Sequence, residues 1–387
     1  MVARKGVAFL FALAACLSLA VVATGSGVAT GSAAPAPLVI AVEGPQSGAQ
    51  ASNGLDQLRG VRLAARQLNA QGGLWDGRKV VIYAADDKAD SGSAKAVARR
   101  VIAKGIHFLI GPYNSSVGIA NLGLYRRNHV LPLWMTSRPE TAGFGATVQP
   151  MNTQIAPNAA RYLKRIGSKH VALLVDDTPN GAFTKGVAKQ LQSELLREGA
   201  TVTWTSVQET TTPGLPGNYY QQQVAQALST NPDLVYVSTY FPEGIEIAKA
   251  LTSAGSNPRC VMGLANVDNG FLAATTLAQD QRCVFNGVPA ATEMPSARTY
   301  VRQYRRMFHK QPGVWGSFTY DSAQILFAAI NRAKSYALRA VEGQLRRTKD
   351  FHGATGAITI NPNNGYRTNV PVSILRVNDK KRFVIAK

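Results

Sequence analysis

Short apolar runs alternate with longer amphipathic segments along residues 38–290. The apolar runs at 38–44, 80–87 and 108–111 predict buried strands, each bounded by polar or glycine-containing turns. The segment 55–73 has apolar residues every three or four positions, which predicts a helix with one buried face. Repeated strand–helix units are typical of a parallel sheet with helices on both faces. The pattern therefore predicts an α/β fold.

A second strand–helix series begins after Pro150 and runs to about residue 288. Beyond residue 296 the pattern is helical, and the last part of the chain favours β-hairpins, with a strong turn signal in NPNNG at 361–365. Two successive series of similar length, in a chain longer than one core usually supports, predict two similar lobes with a cleft between them.

The segment 108–128 combines a buried strand, a polar turn and a helix start. The turn carries Asn114, Ser115 and Ser116, so hydroxyls and unpaired backbone N–H groups gather at the carboxyl end of a parallel strand. Ligands bind at this edge in open α/β sheets. The alternative is that Ser115 only caps the helix. The neighbouring predicted strand, 131–137, also ends in hydroxyls.

The first 37 residues have the features of an export signal followed by a linker. Arg4 and Lys5 precede an apolar run at 7–23, and a loop rich in Gly, Ser, Ala and Pro follows. LAAC at 13–16 also matches a lipidation motif, which would tether the protein to a membrane through Cys16. The apolar run continues past Cys16, so a soluble secreted product stays open. We expect an exported protein, periplasmic or at the cell surface, with membrane contact only through that anchor.

The chain carries a formal charge of +20, or +18 without Arg4 and Lys5 because residues 1–37 contain no acidic residue. The basic residues are dispersed on predicted helix faces, and no nucleic-acid-binding motif accompanies them. We therefore expect no nucleic-acid partner and infer anionic surroundings or solutes.

Beyond Cys16 the chain contains two cysteines, Cys260 and Cys283, each just before an apolar run. In an oxidising compartment such a pair predicts one disulfide between neighbouring strands. Two free buried thiols are the alternative.

The sequence does not favour an enzyme. It has no nucleophile elbow, phosphate-binding glycine loop, dinucleotide fingerprint or metal-binding histidine pair. The adjacent carboxylates at 86–87 and 176–177 end strands, and neighbouring strand residues point in opposite directions. We expect neither a cofactor nor a metal.

Seven segments in order resemble the type I periplasmic solute-binding proteins of ABC importers, of the leucine/isoleucine/valine-binding group. The resemblance covers residues 38–387. The segments are GPQSG at 44–48, the long helix-to-strand stretch at 59–102, GPYNSS at 111–116, TSRPE at 136–140, LLVDDTPNG at 173–181, DLVYVSTYFPEG at 233–244 and YDSAQILFAAINRA at 320–333.

This resemblance implies two Rossmann-like lobes, each a parallel sheet flanked by helices, that close on a solute in the cleft between them. Three hinge crossovers are expected near residues 147–152, 287–292 and 351–356. Lobe one would comprise 38–149 plus 290–352, and lobe two 150–289 plus 353–387.

The resemblance also implies the ligand-binding residues. Ser115 and Ser137 would hold a ligand carboxylate, with Ser116 and Thr136 as second choices. Aromatic walls would come from Tyr113, Tyr240 and Phe241. Two positions depart from the amino-acid-binding pattern: Asn180 stands where relatives have a tyrosine, and Asp268 is the nearest acid to the position that pairs with a ligand ammonium.

We therefore expect the extracytoplasmic solute-binding component of an ABC importer, a non-enzymatic protein that delivers its solute to an ABC permease. The solute would be a branched-chain amino acid, an amide, or an aromatic or aliphatic acid. Two alternatives remain: a ligand-sensing domain that acts through a partner receptor, and an interaction protein with an empty cleft.

Overall fold

The computed structural model describes residues 35–386. The predicted signal segment up to residue 34, including Cys16, lies outside the described residues. Within the described part, no helix combines the length and apolar character needed to cross a membrane. The described residues form an α/β fold with two large sheets, and the prediction of two lobes with parallel sheets flanked by helices is confirmed.

The first sheet has five parallel strands in the order β2-β1-β3-β4-β5, so β1 lies between two neighbours that follow it in the chain. Its strands are β1 (Leu38–Gly44), β2 (Val80–Asp86), β3 (Phe108–Ile110), β4 (Leu131–Trp134) and β5 (Ala146–Thr147). The connecting helices are α1 (Ala51–Ala70), α2 (Ala94–Ala103) and α3 (Ser115–Arg127). This reversal of strand order is the kind of switch point at which open α/β sheets bind ligands.

The second sheet has seven strands in the order β14-β13-β10-β9-β8-β6-β7. Five are parallel, and the last two form an antiparallel hairpin on β10. Its strands are β6 (His170–Asp176), β7 (Thr201–Val207), β8 (Leu234–Ser238), β9 (Arg259–Met262), β10 (Val284–Gly287), β13 (Ser373–Val377) and β14 (Phe383–Ile385). Its helices are α4 (Asn152–Arg165), α5 (Ala182–Arg197), α6 (Tyr219–Leu228), α7 (Phe241–Ser253), α8 (Asn269–Ala274) and α9 (Leu277–Gln281).

The sequence predicts a helix over residues 158–166, but helix α4 begins six residues earlier, at Asn152. Pro157 favours a start just after it, yet the helix begins at Asn152 and contains the proline. The Gln154 side chain accepts a hydrogen bond from the Met151 backbone N–H at 2.9 Å, which supports the earlier start.

Three later helices, α10 (Arg298–Phe308), α11 (Trp315–Ala333) and α12 (Leu338–Arg346), return to the first sheet, where α11 packs along α1. The contact is close because Gly60 of α1 faces the Gly316 carbonyl, and a Cβ atom at Gly60 would overlap it. The buried carboxylate of Asp56 fixes the same contact by accepting hydrogen bonds from the Gly313 and Gly316 N–H groups and the Tyr304 hydroxyl.

The chain after α12 forms a small hairpin of β11 (Phe351–Gly353) and β12 (Gly356–Ile358), which contacts α11. Tyr366 then forms a parallel bridge with Thr147 at the edge of the first sheet. The chain enters the second sheet only at Ser373. The lobe boundaries remain a prediction, and these contacts favour a third crossing near 368–372 instead of 351–356.

Cys260 lies in β9, and Cys283 immediately precedes the neighbouring strand β10, at one end of the second sheet. Their Cα atoms are 4.6 Å apart, within the range that a disulfide spans, and their sulfur atoms are at bonding distance. The predicted juxtaposition of the two cysteines is therefore present.

Candidate functional site

The turn between β3 and α3 brings the start of α3 next to the loop that follows β4. Gly111 has a positive φ of 115°, and a Cβ atom there would overlap the Glu43 carbonyl, so the turn requires glycine. Asn114 is extended, and the helix begins at Ser115. The N-terminus of this 13-residue helix carries unpaired N–H groups and a partial positive charge, both suited to a carboxylate.

Ser115 and Ser137, predicted as the two carboxylate anchors, are brought together. The backbone N–H of Ser137 donates to Ser115 Oγ at 3.3 Å, and both residues are almost fully buried. Ser137 Oγ donates to the Pro150 carbonyl at 2.7 Å and accepts from Gln149 Nε2 at 2.9 Å. The two loops that follow β3 and β4 therefore meet at one polar point.

A small cavity of about 10 Å³, with space for about one water molecule, lies beside Ser137 and between the two lobes. Its lining comes from both lobes and contains no charged side chain: Tyr113, Met135, Ser137, Gln149, Phe183, Tyr240, Leu264 and Trp315. The aromatic rings surround it closely. The Tyr113 centroid is 5.6 Å from that of Trp315 and 6.4 Å from that of Tyr240, and Phe183 is 6.2 Å from Tyr240. The cavity is mostly apolar, with a few convergent polar groups.

Four predicted contact residues lie close by without lining this cavity, and one of them is Ser115, which reaches it only through its contact with Ser137. Thr136 is buried beneath α3, where its hydroxyl donates to the Pro112 carbonyl at 3.2 Å. Ser116 Oγ is buried and has no hydrogen-bond partner within residues 35–386. Phe241 packs towards Gly270 at the start of α8. Direct ligand contact by these residues stays a prediction.

Asn180 and Asp268 form hydrogen bonds across the cleft. Asn180 Oδ1 accepts from the Ser91 N–H at 3.0 Å and the Ser91 hydroxyl at 2.7 Å. Asp268 Oδ1 accepts from the Ser52 hydroxyl at 2.7 Å. Ser91 and Ser52 belong to the first lobe, whereas Asn180 and Asp268 belong to the second. Both residues thus help to hold the lobes closed, a role that sequence reasoning did not assign to them.

Asp268 is the acid closest to the position expected to pair with a ligand ammonium, and it does not line the cavity. Burial raises its pKa to about 6, although the hydrogen bonds from Ser52 and from the Gly270 N–H oppose that shift. Burial is the main cause that raises the pKa of the Tyr113 hydroxyl, and the nearby Tyr240 and Asp268 raise it further.

Other buried carboxyls surround the cleft. Burial raises the pKa of Glu243 to about 8 and that of Asp176 to about 6. The Thr178 hydroxyl lies 2.7 Å from Asp176 Oδ1 and 2.6 Å from Glu209 Oε1, yet it has one proton to donate. In the first lobe, burial raises the pKa of Asp87 to about 7. Among residues 35–386, no His, Cys, Asp and Glu group could hold a metal ion.

These raised pKa values predict that the protein is more stable at pH 5 than at pH 8. A carboxyl whose pKa is higher in the folded state favours folding below its unfolded pKa, near 4, and loses that contribution as pH rises through the folded pKa. Lowered carboxyl pKa values, as at Asp86 and Asp90, act in the opposite direction but only below about pH 4.

The variant Glu243→Gln is expected to reduce the change of the unfolding free energy with pH. The slope should fall by up to about 1.4 kcal/mol per pH unit between pH 5 and 8. The measurement is the free energy of unfolding in urea across that range. Glu246→Gln, one turn along the same helix but partly exposed and paired with Lys249, is the matched control and should leave the profile unchanged. Identical profiles for the two variants would contradict the assignment.

Five residues of the cavity lining were not identified from the sequence: Met135, Gln149, Phe183, Leu264 and Trp315. They lie at strand ends or helix starts, as do the predicted ones. Of the five, only Trp315 could have been identified from the sequence, because it is an aromatic residue at the start of the long helix α11. Met135, Phe183 and Leu264 are ordinary core residue types, Gln149 is a polar residue without a motif, and only the fold brings these four to the cleft.

Residues 37–382 match the family model of the periplasmic binding proteins. A Leu/Ile/Val-binding protein of Rhizobium johnstonii is 28% identical over 333 residues, which cover 84% of this chain and 88% of the relative. The leucine-binding protein LivK of Thermotoga maritima superposes with a TM-score of 0.81 at 22% identity, covering 90% of this chain and 98% of the other.

A solute-binding protein of Rhodopseudomonas palustris BisB5, solved with 3,4-dihydroxybenzoic acid, superposes with a TM-score of 0.76 at 17% identity and covers 90% of this chain and 96% of the other. The family consists of non-enzymatic solute-binding proteins, and membership of it implies an exported protein. Given the family match over nearly the whole described chain, this protein belongs to the periplasmic binding protein family.

Proposed function

We propose that this protein binds a small aromatic or apolar carboxylic acid in the cleft and delivers it to an ABC permease. The observation that supports this proposal is the composition of the cavity: four aromatic rings, two apolar side chains and two polar ones, next to the N-terminus of α3. A carboxylate suits the helix N-terminus with Ser115 and Ser137, and an apolar body suits the aromatic walls.

The absence of an acidic side chain from the lining favours a solute without an α-ammonium group. A buried ammonium needs a charge partner or several acceptors, and Asp268 already accepts from Ser52 and Gly270. We expect a solute the size of one ring or one amino acid, and its entry requires the lobes to move apart because the cavity has space for only about one water molecule. Both solute types occur among the relatives, with isoleucine in one solved protein and benzoate in another.

A thermal-shift screen of residues 36–387 against aromatic acids, aliphatic acids, amides and branched-chain amino acids tests the proposal. A solute at a hundred times its Kd adds about 2.7 kcal/mol of stability, which raises the Tm by a few degrees in a protein of this size. We expect shifts with aromatic acids and none with leucine. Shifts with leucine alone would assign the ammonium to Asp268, and no shift with any solute would favour an interaction protein or a sensor.

We further propose that residues 1–37 direct export and that Cys260 and Cys283 form a disulfide in the exported protein. Closing a loop between residues 23 positions apart is expected to stabilise the fold by about 3 kcal/mol in the chain-entropy model. The measurement is the free energy of unfolding of the oxidised protein compared with the double variant Cys260→Ser/Cys283→Ser. Equal stabilities, together with two titratable thiols in the exported protein, would contradict the bond.

A further inference from the structure

A second feature lies away from the cleft, where basic side chains line two adjoining surface grooves. The first groove has a volume of about 500 Å³ and lies between α10 and the β13–β14 hairpin. Three of its arginines, Arg298, Arg302 and Arg305, come from α10, and Arg382 comes from the hairpin. The second groove, of about 360 Å³, shares Arg382 with the first and adds lysines from the same hairpin.

The two grooves share Thr292 as well as Arg382, so together they form one continuous surface that we call the basic track. The α10 arginines occur at positions i, i+4 and i+7, which places them on one face of the helix along about 10 Å of its length. Arg382 and Lys380 extend the row towards the second sheet. The track is therefore linear, and its cations are spaced along it.

The charge on the track is not neutralised by the neighbouring side chains described. Glu293 is the only acidic residue that lines it. Lys381 pairs with Asp280 at 3.1 Å, whereas within residues 35–386 no salt bridge involves Arg298, Arg302, Arg305, Arg382 or Lys380. All five residues are exposed. Like charges held side by side in a concave groove attract anions because the groove concentrates their field.

We propose that the basic track binds a linear polyanion that carries phosphate groups. Guanidinium groups predominate over ammonium groups, and their planar fork pairs with phosphate through two parallel hydrogen bonds. Arginines one helical turn apart can both reach one tetrahedral phosphate, whereas a planar carboxylate offers only two oxygens. A flexible chain can follow a groove along its length, whereas a flat bilayer surface contacts only the rim.

The test measures binding of the full exported chain to a short linear polyphosphate by isothermal titration calorimetry at several salt concentrations. With five cations engaged, the logarithm of the association constant is expected to fall against the logarithm of salt concentration with a slope of about −3.5. The variant Arg298→Gln/Arg302→Gln/Arg382→Gln should bind on the order of 100-fold more weakly at low salt, with a slope of about −1.4.

The matched control is Arg127→Gln/Arg197→Gln/Arg339→Gln, which removes the same charge from exposed positions elsewhere. It should keep nearly all of the affinity, and both variants should keep the Tm and the solute-induced thermal shift of the unmodified protein. If both variants lose the same affinity for polyphosphate, net charge alone explains the binding, and the proposal is wrong. Binding to phosphatidylglycerol vesicles but not to polyphosphate, equally tight binding to polyglutamate, or no binding at all would also overturn it.

Discussion

Ser115→Asp is expected to abolish binding of the carboxylate solute. The new side chain would place a second negative charge beside the ligand carboxylate at the N-terminus of α3, in a site that is almost fully buried. Two like charges about 4 Å apart repel by about 4 kcal/mol at an effective dielectric constant of 20, which corresponds to roughly a thousandfold loss of affinity. The measurement is calorimetric titration with the aromatic acid that gives the largest thermal shift.

Ser115→Asn is the matched control because asparagine has nearly the same shape as aspartate and no charge. It should weaken binding by roughly tenfold, the loss expected when one hydrogen bond is disturbed. Both variants should remain folded, since aspartate in the first turn of a helix is favourable. If Ser115→Asp binds the acid as tightly as Ser115→Asn does, the carboxylate does not lie at this helix end.

Asp321→Asn is expected to destabilise the protein by about 3 kcal/mol. Asp321 lies inside α11, fully buried, and accepts hydrogen bonds from the Ala354 N–H, the Thr355 N–H and the Thr355 hydroxyl. The same hydroxyl accepts a hydrogen bond from the buried Arg367 guanidinium, so the carboxylate supports a cation that is only 1% exposed. Without the Asp321 carboxylate, the positive charge of the buried Arg367 would be left uncompensated.

The measurement for Asp321→Asn is the free energy of unfolding in urea at pH 7.5, above the pKa of about 6 that burial gives this carboxyl. Asp350→Asn makes the same chemical change at an exposed position just before the hairpin, where the side chain accepts a hydrogen bond from the Thr359 hydroxyl. That control should cost less than about 0.5 kcal/mol. Similar losses in the two variants would show that the buried group does not fasten the hairpin to α11.

The architecture was largely predictable from the sequence because parallel α/β sheets leave a clear local pattern. Strands such as β1 and β6 are continuous apolar runs, and the helices between them end at glycines or polar turns. The position of the hairpin β11–β12 was not predictable. Its attachment to the first lobe depends on the buried Asp321 and on Arg367, which lie 46 positions apart in the chain.

The part of the candidate site whose residues lie on a local turn could be predicted from the sequence. The loops after β3 and β4 carry their hydroxyls on a turn and a strand end, so Ser115 and Ser137 could be identified. The opposite wall could not be, because Phe183 and Trp315 come from helices of different lobes and meet only through the packing of the whole fold. Asn180 and Asp268 were expected to contact the ligand, yet they bond to serines across the cleft, a pairing that no local pattern encodes.

The most direct measurement is a crystal structure of the protein with the aromatic acid that gives the largest thermal shift. We predict the carboxylate at the N-terminus of α3, within hydrogen-bond distance of Ser115 and of the Ser137 loop, and the ring between Tyr113, Tyr240 and Trp315. A ligand bound in the opposite orientation, with its carboxylate towards Asp268, or a ligand outside this cavity would contradict the proposed mode of binding.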